Sequence, residues 1–327
     1  MPNTRRDFLK YLIGGLTLGS SYIQAKQKAS PSGIPTRPLG KTGEQISIIG
    51  LGGHTIAKIR RETEAIGIMH EAIDNGITFF DNSWDYHRGK AEVLMGKALA
   101  TDARRDRVFL MSKICARLAK DTTPQIEESL QRLQTDRLDL LLFHGIKRDQ
   151  DADLIFSDKG ALRAVQKAQQ AGKIRYIGFS GHADPRFHLR MMQHNFDFDA
   201  ILMPISVLDA HYRSFQKEVL PDCIKKDIGV LGMKALSVGT IPEVLGINAT
   251  LCRNYALSMP ISSLLCGIQS REDLIQDINI ARNFQPLNNS QVKELLKLSE
   301  KHASDGRYER YKTRDAGCNW HVRNSKT

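Results

Sequence analysis

The sequence predicts an α/β fold, a (β/α)8 TIM barrel, and two observations carry that expectation. First, short apolar runs alternate with helical stretches, and the runs near residues 46, 77, 108, 140, 174, 200, 229 and 262 number eight, the count that closes a parallel barrel. Second, three successive runs each deliver a polar residue at the C-terminal end. Ile77-Thr78-Phe79-Phe80 leads into Asp81, Val108-Phe109-Leu110-Met111 is followed by Lys113, and Leu140-Leu141-Leu142-Phe143 ends at His144. Barrel chemistry sits on that face, so these residues, with Tyr86 in the loop after Asp81, form the candidate catalytic set.

The elements follow in order. Residues 1–25 read as a twin-arginine signal peptide: Thr4-Arg5-Arg6-Asp7-Phe8-Leu9-Lys10 precedes an apolar run from Tyr11 to Ile23, shorter than the roughly 20 residues of a membrane span. Ala25 suits the residue before a cleavage site, but Ile23 fits the small-residue rule poorly; an uncut segment would stay as a membrane anchor. The expected location is the periplasm or outside the cell, reached through the twin-arginine export machinery, which moves folded chains and would let a cofactor travel inside one. A linker is expected over 26–36, the barrel over 37–303 and a C-terminal tail over 304–327. Within the barrel, 62–75 carries an apolar stripe at Ala65, Ile66, Ile68, Met69 and Ala72, closed by Gly76. Further helices are expected over 92–99, 124–133, 162–171, 186–193 and 215–225, with extra C-terminal helices at 271–283 and 290–300. The polar, aromatic tail is expected to fold back over the barrel mouth.

A carboxylate beside an apolar strand costs several kcal/mol, in order of magnitude, unless a cation pairs with it, so Asp81 needs Lys113. Such a pair is either a structural ion pair or part of a site. A phenol near its usual pKa of about 10 is a reluctant acid, and a neighbouring ammonium would lower that value. Tyr86 is thus the expected proton donor, Lys113 its tuning cation, Asp81 the group that aims Lys113, and His144 a hydrogen-bonding partner for substrate oxygen. No metal is required.

At these residues the sequence resembles the aldo/keto reductases, over roughly 37–298. FFDNSWDYHRGKAEVLMGKAL, the MSK and LLLFHG strand ends, and GKIRYIGFS at 172–180 carry the resemblance, as does the five-residue spacing from Asp81 to Tyr86. It implies an Asp, Tyr, Lys and His tetrad and an oxidoreductase that moves a hydride between NAD(P)(H) and an aldehyde, ketone or sugar carbonyl. It also implies an N-terminal hairpin plugging the barrel bottom within 37–53. Ser180 matches the serine that holds the nicotinamide carboxamide; Gly267, Ser270 and Arg271 match the loop and helix start that bind the adenosine 2′-phosphate, which favours NADP(H) over NAD(H). Lys234, in the phrase GMK, would touch cofactor phosphate. Gly52 and Gly53 either let cofactor approach the backbone or make a tight turn. Trp84, His87 and Arg88 flank Tyr86 and are assigned to the substrate pocket. Departures are Gly181 where the family has Asn, Leu202 and Ser206 where it has Gln and Asn, and Asp273 and Asp277 where it has Gln and Asn. The twin-arginine start, GMK and the tail RYExYKT match a subset of the family.

The net charge of +11 falls to +9 without residues 1–25, and no basic run alternates with aromatics, so nucleic acid is not an expected partner. The five cysteines show no CxxC or metal-ligand spacing and read as small buried side chains. Two other functions stay open: a non-catalytic nucleotide-binding or regulatory barrel, motivated by Leu202 and Ser206, and a Schiff-base aldolase on Lys113.

Overall fold

The computed structural model describes residues 27–314. The twin-arginine segment and the end of the tail, 315–327, lie outside the described residues. The stretch read as a linker is held against the fold from residue 27 onward, since Lys28 pairs antiparallel with Thr36 and Ile34 is fully buried.

An antiparallel hairpin, β1 (Thr36–Pro38) and β2 (Gln45–Ser47), comes first, with Arg37 opposite Ile46. Leu39 and Ile46 join the apolar cluster inside the barrel, with Phe79, Phe109, Met111, Leu140 and Leu231, so the hairpin plugs the bottom. Arg37 fastens it by donating to Leu257 O and Ile261 O, both at 3.0 Å, and burial pushes the guanidinium down to about 9. The apolar run near residue 46, expected as one strand, is divided at Ile48. Ser47 Oγ donates to Ile49 O at 2.6 Å and accepts from Thr78 N at 3.0 Å, which turns the chain from hairpin into barrel.

The barrel strands are β3 (Ile49–Gly52), β4 (Phe79–Asp81), β5 (Phe109–Ile114), β6 (Leu138–Phe143), β7 (Ile174–Ser180), β8 (Ala200–Pro204), β9 (Gly229–Met233) and β10 (Ser263–Cys266). All pair in parallel in chain order, and β10 closes on β3 with Leu264 opposite Ile49. The expected eight-stranded barrel is therefore the observed one. Alternation along each strand sorts the side chains: Phe79, Phe109, Met111, Leu140, Leu142, Leu202 and Leu231 point in, while Phe80, Leu110, Leu141 and Ile201 pack against the helical layer.

The helix expected over 215–225 is broken at Val219 into Phe215–Glu218 and Leu220–Lys225, because Pro221 lacks the N–H that a continuous helix would use. Conversely Pro124, expected to open a helix, sits inside Ala119–Leu133. Helices Asp149–Phe156, Thr240–Leu245 and Ala249–Leu257 are additions to those expected from the sequence. Among the described residues no helix is long and apolar enough to cross a membrane.

After the helix Asn289–Ala303 the tail crosses the loops that follow β7, β8 and β9. His182 Nδ1 donates to Tyr311 O at 3.1 Å, Arg213 donates to Lys312 O at 3.1 Å, and Ser237 Oγ donates to Tyr308 O at 2.5 Å. Lys312 is buried, with Nζ 2.6 Å from Asp209 and 2.9 Å from Glu309, and it also donates to Tyr212 O at 2.7 Å. One ammonium thus serves two carboxylates, and burial, opposed by Lys312, leaves Glu309 raised to about 7.

Removing the shared cation would strand two buried acids. Lys312→Ala is expected to lower the unfolding free energy by about 3–5 kcal/mol, read from urea midpoints; an unchanged midpoint contradicts the account. Because the folded value of Glu309 lies above the usual one, its contribution is complete at acid pH and is lost as pH rises through about 7. Stability should therefore decline over that range in the native chain and less so in Glu309→Gln.

Candidate active site

Strand alternation brings the four candidate residues together. Asp81 shares the inward parity of Phe79, Lys113 that of Phe109 and Met111, and His144 that of Leu140 and Leu142, so all three crown the interior at the C-terminal end. Lys113 is fully buried and forms an ion pair with Asp81. Its Nζ also donates to Asn82 O at 2.7 Å and to Tyr86 Oη at 3.2 Å, which uses all three of its protons.

Tyr86 is presented by a tight loop. Asn82 Nδ2 donates to Ala91 O at 2.9 Å, tying the loop to the helix Lys90–Leu99. His87, Arg88 and Gly89 follow in left-handed conformation, with φ of 51°, 58° and 86°. Two non-glycine residues held there in succession mark a strained turn, costing about 1–3 kcal/mol each. The ring meets His54 and His144 edge-on, with centroids 5.1 and 5.6 Å away.

Burial pushes the Asp81 carboxyl upward against the pull of Lys113. The Tyr86 phenol is pushed well above its usual value, first by burial and then by Asp81 and Asp85. This corrects the expectation that Lys113 lowers it: Asp81 spends the charge of Lys113, and desolvation dominates what remains. The phenol is accordingly held as a neutral proton donor.

His144 is buried with Nδ1 3.1 Å from Asp85 Oδ1 and 3.0 Å from Ser83 Oγ, and Ser83 Oγ donates to Asp85 Oδ1 at 2.6 Å. Arg117, paired with Asp151 at 3.1 Å, donates to His144 O at 2.8 Å and fixes the strand end. Sequence reasoning did not single out Ser83, Asp85 or Arg117. Asp85 left a signal, a second acid adjoining Tyr86 in the same loop; Arg117 left none, since its partners meet only in space.

The cysteines divide. Cys223, Cys252 and Cys266 are free and buried, as expected, whereas Cys115 is disulfide-bonded, against the expectation of a small buried side chain, since chain spacing alone does not report a pairing. Cys115 Sγ lies 3.7 Å from His144 Nδ1. Ligand atoms of Asp85, Cys115 and His144 lie within 4.8 Å of one another, but a disulfide sulfur offers a metal no thiolate.

The flanking assignments fare differently. Trp84 is pinned by Nε1 donating to Glu128 at 2.8 Å and by Arg132, 5.6 Å from the ring. His87 Nε2 bonds His54 O at 2.8 Å, and Arg88 is exposed beside it. The ammonium of Lys234 has no hydrogen bond or ion pair among the described residues and stands 5.9 Å from the Tyr311 ring. Ser180 is buried, its Oγ accepting from Gly145 N at 3.3 Å. Gly53 is required by packing, since a Cβ there would lie 2.6 Å from Asp81 O. Gly52 faces Cys266 O, and Gly267 faces Thr55, less tightly.

At the expected phosphate site, Ser270 caps the helix Arg271–Arg282 and Asp273 reaches back to Gln269 N at 2.9 Å. Arg271 is held by a two-pronged pair with Glu71, both contacts at 2.7 Å. Asp277 turns inward to Arg253 at 2.6 Å, so it is a core partner and takes no part at the helix start. Leu202 fills the barrel interior, and Ser206 Oγ accepts from Asp209 N at 3.1 Å, supporting the acid that binds the tail.

An eight-stranded parallel barrel whose rim gathers an acid, an ammonium, a phenol and an imidazole belongs to the barrel enzymes with their site at the strand ends. The model of the aldo/keto reductase family matches residues 48–244, more than half of the chain, and the chain belongs to that family of oxidoreductases. It is 29% identical over 228 residues to L-galactose dehydrogenase of Arabidopsis thaliana, covering 64% of this chain and 68% of that protein. An uncharacterized oxidoreductase of Bacillus subtilis is 29% identical over 225 residues, covering 62% and 67%. Among solved structures, the holo form of an aldo-keto reductase from Bacillus halodurans superposes with a TM-score of 0.68 at 23% identity, covering 80% of this chain and 95% of that one. A Klebsiella pneumoniae aldo/keto reductase in complex with NADP and acetate gives 0.66 at 23%, covering 80% and 94%.

Gly181 has its own packing reason. A Cβ there would lie 2.6 Å from Ile146 O and 2.7 Å from His188 Cε1. Restoring the family residue with Gly181→Asn should cost about 1–3 kcal/mol in thermal unfolding; an Asn accommodated without cost would mean that packing does not set this glycine.

Proposed function

We propose that the chain is an exported, NAD(P)(H)-dependent reductase of an aldehyde, ketone or sugar carbonyl, with Tyr86 as general acid in reduction and general base in oxidation. The observation that carries this is Lys113 Nζ, 3.2 Å from Tyr86 Oη and paired with Asp81 at the inner rim. When bound, the nicotinamide supplies the hydride to the carbonyl carbon. Tyr86 gives its proton to the oxygen as charge develops there, completing the CH–OH group. The phenolate left behind is held by Lys113, whose charge is retained by Asp81, until solvent returns a proton. His144, whose ring meets the Tyr86 ring edge-on at 5.6 Å, is the hydrogen-bonding partner for that oxygen.

The residues present fit a dinucleotide. Lys234 brings to the rim an ammonium with no hydrogen bond or ion pair among the described residues, and Lys58, His87 and Lys234 add positive potential around His54, which burial first and these charges next lower to about 4. Ser180 adjoins the same rim. NADP(H) is preferred over NAD(H) on Arg271 and Ser270, where Arg271 must exchange Glu71 for the 2′-phosphate. Export rests on Arg5 and Arg6 ahead of the apolar run, and membrane attachment on whether that segment is cut. A fully buried Lys113 with every proton engaged is unsuited to a Schiff base, which needs a free neutral amine.

Tyr86→Phe is expected to lower carbonyl reduction by at least about 10²-fold while leaving NADPH binding unchanged. Retained reduction refutes the catalytic assignment, and failure of the native chain to bind either cofactor moves the reading to a non-catalytic barrel. In fluorescence titrations Glu71→Gln should tighten NADPH several-fold, about one lost ion-pair exchange, and leave NADH unchanged; equal effects on both would remove Arg271 from the phosphate site.

A further inference from the structure

We propose that Cys318 is the cysteine bonded to Cys115, and that this bond straps the C-terminal tail across the barrel mouth, where it slows the exchange of cofactor. The pairing rests on the cysteines themselves; the effect on cofactor rests on the reductase reading above.

The pairing follows by elimination. The chain has five cysteines, of which Cys115 is disulfide-bonded while Cys223, Cys252 and Cys266 are free. A bond within one chain leaves Cys318. The anchor is firm: Cys115 N and Ala116 N both donate to Gln125 Oε1, at 2.8 and 3.0 Å, and Arg117 Nη1 donates to Cys115 O at 3.0 Å. It also stands at the chemistry. Cys115 directly follows β5, two residues beyond Lys113, and is fully buried with Sγ 3.7 Å from His144 Nδ1.

The described part of the tail brings the chain to the same rim. Tyr311 O accepts from His182 Nδ1 at 3.1 Å, and His182 is within electrostatic reach of His144. His182 follows β7 and Cys115 follows β5, so only β6 lies between them, two strand spacings or about 10 Å. Seven residues lead from Tyr311 to Cys318, an extended reach of about 24 Å, so the chain reaches Cys115 with slack.

The tail is then fastened at two points of different chemistry, the buried Lys312 between Asp209 and Glu309, and the covalent bond. It runs past the residues assigned to the cofactor. The Tyr311 ring is 5.9 Å from the Lys234 ammonium, Tyr308 O accepts from Ser237 Oγ at 2.5 Å, and His182 is two residues beyond Ser180. A dinucleotide held at Ser180 and Lys234 has to pass this segment to leave. The bond opens by exchange with a dithiol. One thiol attacks the Cys318 sulfur, since that of Cys115 is buried; the S–S bond breaks and Cys115 leaves. The second thiol then displaces Cys318 and closes the reagent's own disulfide, and the two protons of the reagent end on the two cysteines. Disulfides persist outside the cytoplasm, in keeping with the export proposed above.

The test opens with a peptide map of the purified chain digested without reductant. The peptide holding Cys115 should appear joined to the one holding Cys318; a free Cys115, or one joined to another cysteine or to a second copy, overturns the proposal. Amide hydrogen exchange over residues 306–314 should quicken about tenfold in Cys318→Ser and in the native chain after dithiothreitol, which should change nothing further in Cys318→Ser. NADPH release, followed by nicotinamide fluorescence on mixing with excess NADP+, should quicken about tenfold under the same conditions. Release that stays as it was overturns the strap and leaves the reductase reading, which Tyr86→Phe tests separately. A native chain that binds neither cofactor ends that reading, and with it the effect on cofactor. Should Cys318→Ser not fold, the native chain before and after dithiothreitol decides both rates.

Discussion

The ion pair between Asp81 and Lys113 is the constraint on which the site depends. Two charges are taken out of water at adjoining strand ends, at an effective cost of several kcal/mol each, and the ammonium recovers this by donating also to Asn82 O and Tyr86 Oη. The arrangement requires the register that sets Asp81 beside Met111, so that Lys113, two residues on, projects to the same inner rim. A slip of one residue would turn Lys113 outward into the apolar layer under the helices. The pair is thus a consequence of barrel closure, and because Asp81 takes up the charge of Lys113, burial keeps the neighbouring phenol neutral.

Chemistry at the rim is framed by two chain ends. Below, the hairpin fills the barrel bottom with the buried side chains of Leu39 and Ile46 and is fastened by Arg37. Above, the tail lies over the loops after β7, β8 and β9, held where Lys312 meets Asp209 and Glu309. Ser206, which departs from the family pattern, belongs to this second frame because it supports Asp209.

The barrel was legible because its signal is periodic: eight apolar runs with strand parity can be counted, and parity alone aims Asp81, Lys113 and His144 inward. What was not legible depends on contacts between distant segments. The Ser47 kink that splits one apolar run into hairpin and strand needs Thr78. Gly181 reads as a lost ligand until His188 and Ile146 are seen beside it. Asp277 reads as a poor neighbour for phosphate until it turns toward Arg253, and Arg271 reads as free until Glu71 meets it. The phenol of Tyr86 was expected to be acidified by Lys113; geometry shows that charge already committed to Asp81, and burial decides the direction. In each case chain order supplied the residue and space supplied its partner.

The most direct test of the account follows the hydride itself. The purified chain would be incubated with an aldehyde, a ketone and a sugar panel and with NADPH carrying deuterium at C4 of the nicotinamide, and the alcohols analysed by mass spectrometry. The account predicts one deuterium on the carbon that had been the carbonyl, from one face of the nicotinamide only. Tight cofactor binding with no deuterated alcohol from any member of the panel would contradict it.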